Sequence, residues 1–406
     1  MPAMHAAFPK LLEEQTLLDC VRANPGHDRI REGLSQPAFD WECFWALAGE
    51  QQVQPLVARV LASPDFRDLL PPDAVSALHA VRLQTTATNL ASDAELRRVI
   101  ERLREHDIDA VPLKGTRLAQ RLFGAYDARR CGDIDLLVPE RDWDTAHRLL
   151  CEAGYAPAVD VRPGVSKHSF HDVPLVRTAG RHGYVVELHR QLSDPRFVAI
   201  DYQWLWGKIR ERSERTQQPL DLPTEALLIF LAVHAPKHYS GLLRLLADID
   251  HLIAREVDEL VWDDVVRIAH DWHADAILYF VLSLASGLLE TPIPAATLRE
   301  LQPPRWRRVV VPMLAGPVAV LRPPMPANLR ANRFRLAYCL MLRHSGRELR
   351  SYWHYIVMPP QATHSQIITR IALAARRPID GMAWTTLAIG SAVWDRIRVC
   401  SPARSG

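Results

Sequence analysis

Apolar residues recur at intervals of three and four positions through the first hundred residues, and this spacing predicts α-helices. The stretches WECFWALAGEQQVQPLVARVLA and AELRRVIERLREHDI both follow it, and a loop containing two consecutive prolines lies between them. The pattern therefore predicts an N-terminal helical region over residues 1–105.

The pattern changes over residues 106–205, where short apolar or alternating runs predict β-strands. Three such runs are DAVPLKG, DIDLLV and YVVELHRQL. The segment RDWDTAHRLLCEAGY between the last two has helical spacing and ends at Gly154, and glycine commonly terminates helices. We expect these residues to form a mixed α/β unit.

Helical spacing returns after residue 222, in a long apolar segment that Pro223 and Thr224 open. We assign residues 206–300 to a helical bundle and residues 301–406 to a C-terminal helical extension interrupted by prolines. The apolar runs at 309–321 and 381–394 are shorter than the roughly 18 residues that span a membrane. Stable membrane insertion is therefore not expected.

Composition and charge narrow the class of protein. The chain has 406 residues, with 49 Lys and Arg and 47 Asp and Glu. Because these charges nearly balance, no strong overall electrostatic field favours a polyanionic partner. Its six cysteines contain no C-x-x-C pair, which argues against a zinc site or a disulfide framework. The N-terminus lacks the basic and apolar segments of a secretory signal, so we expect a cytoplasmic protein.

The triplet Asp-Ile-Asp occurs three times, and its context differs each time. Residues 107–109 follow a charged helix, where aspartates favour a turn. Asp248 and Asp250 lie in a segment with helical spacing, and residues two apart on a helix point to different faces. Neither pair is therefore expected to hold one ion between its two carboxylates.

The third triplet, in DIDLLV, has the pattern of a strand. Side chains two apart on a strand share a face, so Asp133 and Asp135 project together while Ile134, Leu136 and Val138 enter the core. Two adjacent carboxylates repel each other unless a cation lies between them. Oxygen ligands suit Mg²⁺, so this pair predicts a site for a metal-bound nucleotide.

A third carboxylate follows in YVVELHRQL, where Glu187 and His189 share one strand face. If this strand lies beside DIDLLV, three acids converge, as a site for two metal ions requires. One ion activates an acceptor hydroxyl and the other holds the triphosphate and the leaving pyrophosphate. We predict that Asp133, Asp135 and Glu187 are catalytic and bind Mg²⁺ or Mn²⁺.

Upstream of these strands, PLKGTRLAQRLFG reads as strand, glycine turn and helix. Gly115 lets the backbone approach a phosphate, and the N–H groups that open the next helix point at it. Thr116 adds a hydroxyl, and Lys114, Arg129 and Arg130 add positive charge near the same edge. We predict that Lys114, Gly115, Thr116 and Arg130 bind the nucleotide.

Two other functions fit parts of the sequence. His234 and His238 are one turn apart in HAPKH, with Asp248 downstream, so a metal phosphohydrolase is one alternative. A non-catalytic nucleotide-binding scaffold that has lost turnover is the other. Basic stretches at 305–310 and 347–355 have the charge to contact RNA, although solvated helix faces explain them as well.

The chain resembles the DNA-polymerase-β-like nucleotidyltransferase superfamily and, within it, the group of uncharacterised nucleotidyltransferases. Gly115-Thr116 matches the glycine turn of the superfamily. Asp133-Ile-Asp135 matches its motif of two aspartates around a hydrophobic residue, and Glu187 matches its third carboxylate. The further hallmarks of the group that the chain contains are Arg130, GY, VELH, HAPKH and LLADIDHLI. The likeness covers about residues 40–260. Thr116 and the long spacing between Gly115 and Asp133 depart from the pattern and predict a looser turn.

The resemblance implies an α+β fold in which a small mixed-sheet nucleotidyltransferase core is flanked by N-terminal and C-terminal helical regions. It also implies transfer of a nucleoside monophosphate from an NTP to a hydroxyl-type acceptor, with release of pyrophosphate. The acceptor is a small molecule, a peptide or an RNA, and the resemblance does not choose among them.

The three triplets provide an internal comparison. Because Asp133 and Asp135 are the predicted metal ligands, changing either to Asn is expected to lower nucleotidyl transfer by orders of magnitude. Changing Asp107 or Asp109 to Asn is expected to leave the rate near that of the wild type. Steady-state rates of the four purified variants test this, and full activity of both site variants would contradict it.

Overall fold

The computed structural model of the protein describes residues 11–157, 172–179, 182–195, 198–237, 241–321 and 327–342. The N-terminal region forms five helices, as the apolar spacing predicts. The last has 33 residues and begins at Pro72, since proline is tolerated in the first turn of a helix. They are α1 (Leu12–Val21), α2 (His27–Leu34), α3 (Trp41–Glu50), α4 (Gln54–Leu61) and α5 (Pro72–Arg104).

A five-stranded mixed sheet follows, together with two helices. The strands are β1 (Val111–Pro112), β2 (Ile134–Leu137), β3 (Ala156–Pro157), β4 (Asp172–Ala179) and β5 (His182–His189). The helices are α6 (Gly115–Phe123), between β1 and β2, and α7 (Trp143–Glu152), between β2 and β3. The strand order is β1-β2-β5-β4-β3, and only the central β2–β5 pair is parallel.

The remaining described residues are helical, which confirms the predicted α+β class. The helices are α8 (Tyr202–Thr216), α9 (Thr224–His234), α10 (Leu242–Arg255), α11 (Trp262–Asp271), α12 (Asp275–Leu289), α13 (Ala295–Glu300), α14 (Arg305–Ala315), α15 (Pro317–Leu321) and α16 (Ala327–Met341). Their apolar side chains share one buried core with α1–α4 and α6. The N-terminal helices and the later bundle therefore pack as neighbours although the sheet separates them in sequence.

The two faces of the sheet are covered differently. Ile134, Leu136 and Val138 enter a core formed with α5 and α7, as the alternation in DIDLLV predicts. Leu137 points to the opposite face and joins the core of the helical bundle. The acidic side chains of β2 and β5 belong to this second face, so the bundle overlies them.

The carboxylate of Glu95 joins the long helix α5 to the sheet. It accepts hydrogen bonds from Arg177 of β4 at 2.6 and 3.0 Å and from the hydroxyl of Tyr155, while Arg98 of the same helix binds it at 2.8 Å. Burial alone raises the pKa of this carboxyl, but the hydrogen bonds outweigh that effect and lower the pKa to about 2. Glu95 therefore anchors β4, the strand that pairs with β5.

Several sequence-based expectations concern residues outside the described ranges. These are the histidine at position 238, the basic stretch at 347–355, the apolar run at 381–394 and the cysteine at position 400. Within the described ranges, no helix is long and apolar enough to cross a membrane. The cysteines at 20, 43, 131, 151 and 339 are free thiols.

The Glu95 cluster gives stability a defined dependence on pH. Its folded pKa lies below its ordinary value of 4.5, so its stabilisation is complete above pH 4.5 and is lost as pH falls toward 2. Glu95→Gln is therefore expected to lower the free energy of unfolding by roughly 1.5–3 kcal/mol at neutral pH, and by less in acid. Denaturant unfolding followed by circular dichroism at several pH values measures both effects.

Glu101→Gln is the matched control, because Glu101 lies on the same helix and its pair with Arg104 is exposed. We expect this change to alter stability little at any pH. A difference between wild type and Glu95→Gln that stays constant from pH 7 to pH 3 would contradict the role given to Glu95.

Candidate active site

The parallel pairing of β2 with β5 brings two of the three predicted acids together. Asp135 lies directly opposite Glu187 in the register, and Leu137 lies opposite His189. Side chains two apart on a strand share a face, so the carboxylates of Asp135 and Glu187 and the imidazole of His189 meet on the face toward the helical bundle. One ligand atom from each of these three residues lies within 4.8 Å of the others.

Asp135 is the buried centre of this group, with a side chain that is 0% exposed. Its Oδ1 accepts from Lys114 Nζ at 2.9 Å and lies 3.1 Å from His189 Nε2. Burial alone raises the pKa of Asp135, but the positive charge of Lys114 and the contact with His189 outweigh that effect and hold the pKa well below its usual value. Asp135 is therefore an ionised carboxylate inside the fold.

The second oxygen of the same carboxylate, Asp135 Oδ2, is also buried. It has no hydrogen-bond partner among the described residues. An ionised oxygen removed from water without a partner is costly, so sites of this kind commonly hold a cation.

Glu187 lies at the mouth of the group, with a side chain that is 29% exposed. Its Oε2 is 3.7 Å from His189 Nε2. The contact with His189 lowers the pKa of Glu187, but burial and the negative charges of Asp135 and Asp133 outweigh it and raise the pKa. The cluster of ligand atoms that meet within 4.8 Å contains Asp135, Glu187 and His189 but not Asp133, so the convergence of all three predicted acids stays a prediction.

Asp133 lies just before β2 and is half-buried. It lines a shallow pocket that also contains Lys114, Gly115, Thr116 and Asp135. The backbone of Asp133 packs closely against the glycine turn, because a Cβ added to Gly115 would lie 3.2 Å from the Asp133 carbonyl oxygen. Gly115 also has a φ of +67°, which disfavours any side chain there.

The predicted nucleotide-binding residues lie in different environments. Gly115 begins α6 directly after Lys114, so the predicted order of strand, glycine turn and helix is observed. Thr116 is buried, and its hydroxyl donates to Asp93 Oδ1 at 3.4 Å, leaving its backbone N–H at the start of the helix. Arg130 is exposed.

The segment between α6 and β2 is held by hydrogen bonds from one side chain of α5. Asn89 of α5 is fully buried and donates 2.7 Å hydrogen bonds to the carbonyl oxygens of Tyr126 and Arg129. Its side-chain oxygen accepts from the backbone N–H of Cys131 at 3.2 Å. One asparagine therefore fixes three backbone positions just upstream of Asp133.

Two residues of the helical bundle that suggested a phosphohydrolase have other partners. Both carboxylate oxygens of Asp248 accept from Arg129 Nε, at 2.9 and 3.1 Å, in a buried ion pair. His234 Nε2 lies 3.3 Å from Lys114 Nζ, and its ring stacks on Phe230. The bundle thus supplies His234 to the same site and uses Asp248 to neutralise Arg129.

Arg244 is a site residue that our sequence analysis missed. It lies one turn before Asp248 on α10, on the same helix face. Burial, and then the charge of Arg129, lower its pKa, while Asp248, Cys131 and Asp133 act in the opposite direction. Arg244 and Asp248 are the only charged residues in LLRLLAD, and they are four positions apart. This spacing predicts one polar face on an otherwise apolar helix.

The oxygen donors present fit a divalent cation of the magnesium class. Asp135 and Glu187 offer carboxylate oxygens, the preferred ligands of Mg²⁺ and Mn²⁺. His189 contacts both carboxylates and fixes their orientation, as histidines and carboxylates next to metal ligands commonly do. The group is therefore suited to hold a metal ion between the sheet and the substrate.

Comparison with known proteins gives one match. The sequence model of a family described as uncharacterised nucleotidyltransferase matches residues 37–290, more than half of the chain. No curated protein and no solved structure matches the chain significantly.

The buried carboxylate leads to a prediction about metal binding and stability together. Asp135→Asn and Glu187→Gln are each expected to weaken Mn²⁺ binding at least roughly 10-fold, because each removes a charged ligand. Asp135→Asn is also expected to lower the free energy of unfolding by roughly 1.5–3 kcal/mol, because Lys114 loses its ionic partner. Titrations followed by Mn²⁺ electron paramagnetic resonance, together with denaturant unfolding, measure the two quantities.

Asp109→Asn is the matched control, because Asp109 belongs to another Asp-Ile-Asp triplet and pairs with Arg210 away from the site. It is expected to bind Mn²⁺ as the wild type does. Wild-type Mn²⁺ affinity in both Asp135→Asn and Glu187→Gln would show that these carboxylates hold no metal.

Proposed function

This chain belongs to the family of uncharacterised nucleotidyltransferases, and we propose that it is a metal-dependent enzyme. The proposed reaction transfers a nucleoside monophosphate from an NTP to a hydroxyl-type acceptor and releases pyrophosphate. The observation that carries this proposal is the buried carboxylate of Asp135, which lies opposite Glu187 in the register. The Oδ2 atom of Asp135 has no hydrogen-bond partner among the described residues. A cation site of this kind, beside a glycine turn, suits the chemistry of phosphate transfer.

In this proposal Asp133, Asp135 and Glu187 hold Mg²⁺ or Mn²⁺. When bound, such an ion neutralises charge on the phosphates and lowers the pKa of the attacking hydroxyl. His189 keeps Asp135 and Glu187 in position through its contacts of 3.1 and 3.7 Å. We assign Glu187 to the acceptor side, because it is the more exposed of the two paired carboxylates.

The nucleotide phosphates are proposed to lie against the Gly115 turn. The absence of a side chain at Gly115 permits close approach, and the backbone N–H of Thr116 belongs to the first turn of α6, where anions are favoured. Lys114 supplies a positive charge from the same turn. We also assign Arg130 as a contact of the nucleotide, made from the exposed side of the segment before β2.

The acceptor is proposed to enter between the sheet and the helical bundle. His234 of the bundle lies on that side, with its Nε2 3.3 Å from Lys114 Nζ. A small molecule, a peptide or an RNA end with a free hydroxyl has the required chemistry.

The path of the label from an NTP tests this function. With Mg²⁺ or Mn²⁺ and a cell extract as the source of acceptors, label in the α-phosphate is expected to move to the acceptor while pyrophosphate is released. Label in the γ-phosphate is expected to leave with pyrophosphate. Each of the four NTPs is tested in both labelled forms, and products are separated by size and charge.

The controls separate the competing functions. Asp133→Asn is expected to abolish transfer of the α-label, whereas Asp109→Asn is expected to retain it. Transfer of the γ-label alone would identify a kinase, and release of inorganic phosphate without transfer would identify a phosphohydrolase. NTP binding without any turnover would identify a scaffold, so each of these three outcomes would overturn the proposal.

A further inference from the structure

The guanidinium of Arg244 is a feature near the site that neither the metal nor the glycine turn explains. Arg244 is half-buried, and its Nε is buried with no hydrogen-bond partner among the described residues. Arginine keeps its charge at all physiological pH values, so a buried guanidinium N–H without an acceptor is costly. Such a group commonly awaits an anionic ligand.

The geometry places Arg244 beside the phosphate side of the site. Asp248, one turn along the same face of α10, binds Arg129, and Arg129 Nη1 lies 3.8 Å from Cys131 Sγ. Cys131 is two residues before Asp133, so this chain of contacts runs from α10 to the start of β2. Because Arg244 shares a face of α10 with Asp248, it lies near one end of this chain of contacts, and the other end precedes the residue that packs against the Gly115 turn.

The neighbouring acid is not available to neutralise Arg244. Asp248 has both oxygens engaged by Arg129. Arg129 is itself a positive neighbour, and it lowers the pKa of Arg244. Asp133 is the other nearby acid, and it belongs to the proposed metal site. A negatively charged ligand between Arg244 and the metal site would satisfy both the guanidinium and the cation.

The charges of the whole site agree with a highly charged anion. Four cations and four carboxylates belong to this group: Lys114, Arg129, Arg130 and Arg244, with Asp133, Asp135, Glu187 and Asp248. One divalent cation is enough to give the group a net positive charge. A triphosphate then supplies the compensating negative charge.

We propose that Arg244 binds the phosphate chain of the NTP and the pyrophosphate that leaves it. This inference rests on the proposed function and assigns a further binding residue to it, on a helix more than a hundred residues from the glycine turn in sequence. A planar guanidinium makes two parallel hydrogen bonds to phosphate oxygens, which an ammonium group does not. Arg244 would therefore fix the orientation of the phosphates as well as their charge.

Inorganic tripolyphosphate and pyrophosphate are the probes, because they isolate the phosphate chain from the unidentified base. In calorimetric titrations with Mn²⁺ present, Arg244→Ala is expected to weaken binding of both probes roughly 10- to 100-fold. Arg244→Lys is expected to recover part of the affinity, because it restores the charge but not the paired geometry. Binding of Mn²⁺ alone is expected to be unchanged.

Arg255→Ala is the matched control, since Arg255 lies on the same helix at its far end, beside Gly124. Circular dichroism establishes that each variant is folded, and Arg244→Gln, which keeps most of the side-chain stem, replaces the alanine variant if that one unfolds. Wild-type affinity for both probes in the Arg244 variants would overturn the inference. An equally large loss of affinity for Mn²⁺ alone in the Arg244 variants would also overturn the inference. Arg244 would then act on the carboxylates that bind the metal.

The same titrations separate this inference from the proposed function. If the wild type binds tripolyphosphate through Arg244 but transfers no α-label, the reaction is wrong and the phosphate site stands. If the wild type transfers α-label and the Arg244 variants bind the probes normally, the reaction stands and the residue assignment is wrong. A wild type that binds neither probe in the presence of Mn²⁺ overturns both.

Discussion

The parallel pairing of β2 with β5 forces two carboxylates onto adjacent positions of one buried face, and the repulsion between them is the constraint that shapes the site. Asp135 and Glu187 are opposite each other in the register, so no side-chain rotation carries them far apart. The low dielectric of the interior strengthens this repulsion. Lys114 relieves part of it by an ion pair with one oxygen of Asp135, while the other oxygen has no hydrogen-bond partner within the described part of the chain.

The helical bundle completes the balance of charge. Arg129, just upstream of the acids, is neutralised by Asp248, and Arg121 of α6 is neutralised by Glu256 through two short hydrogen bonds. Buried pairs of this kind add little net stability, because desolvation opposes their attraction. They do define a position, since breaking either pair leaves an uncompensated charge. We infer that their role is to fix the bundle against the acidic face of the sheet.

The opposite face of the sheet is fixed by the long helix α5. Glu95 holds β4 through Arg177, and Asn89, nearly two turns earlier, holds the backbone before β2. One helix therefore holds both the segment before β2 and β4, the strand that pairs with β5. A site with fixed carboxylates suits phosphate transfer, because groups that are already oriented need no rearrangement when charge develops.

The sequence by itself determined the elements and the candidate acids. Alternation in DIDLLV places Ile134, Leu136 and Val138 in one core, and the glycine in LKG separates a strand from a helix; both follow from local geometry. The same rules distinguish the three Asp-Ile-Asp triplets, since residues two apart share a face on a strand and diverge on a helix. Asp248 and Asp250 do diverge, toward Arg129 and toward Thr291.

Tertiary structure alone decided which charges meet. Nothing local to Lys114 shows that it pairs with Asp135 rather than with solvent, and nothing local to Thr116 shows that its hydroxyl faces Asp93. The helix that carries Arg244, α10, packs on α6, and Asn89 of α5 fixes the backbone just before β2. Periodicity specifies the face on which a side chain lies, because it is set by backbone geometry; the partner across that face depends on how distant segments pack.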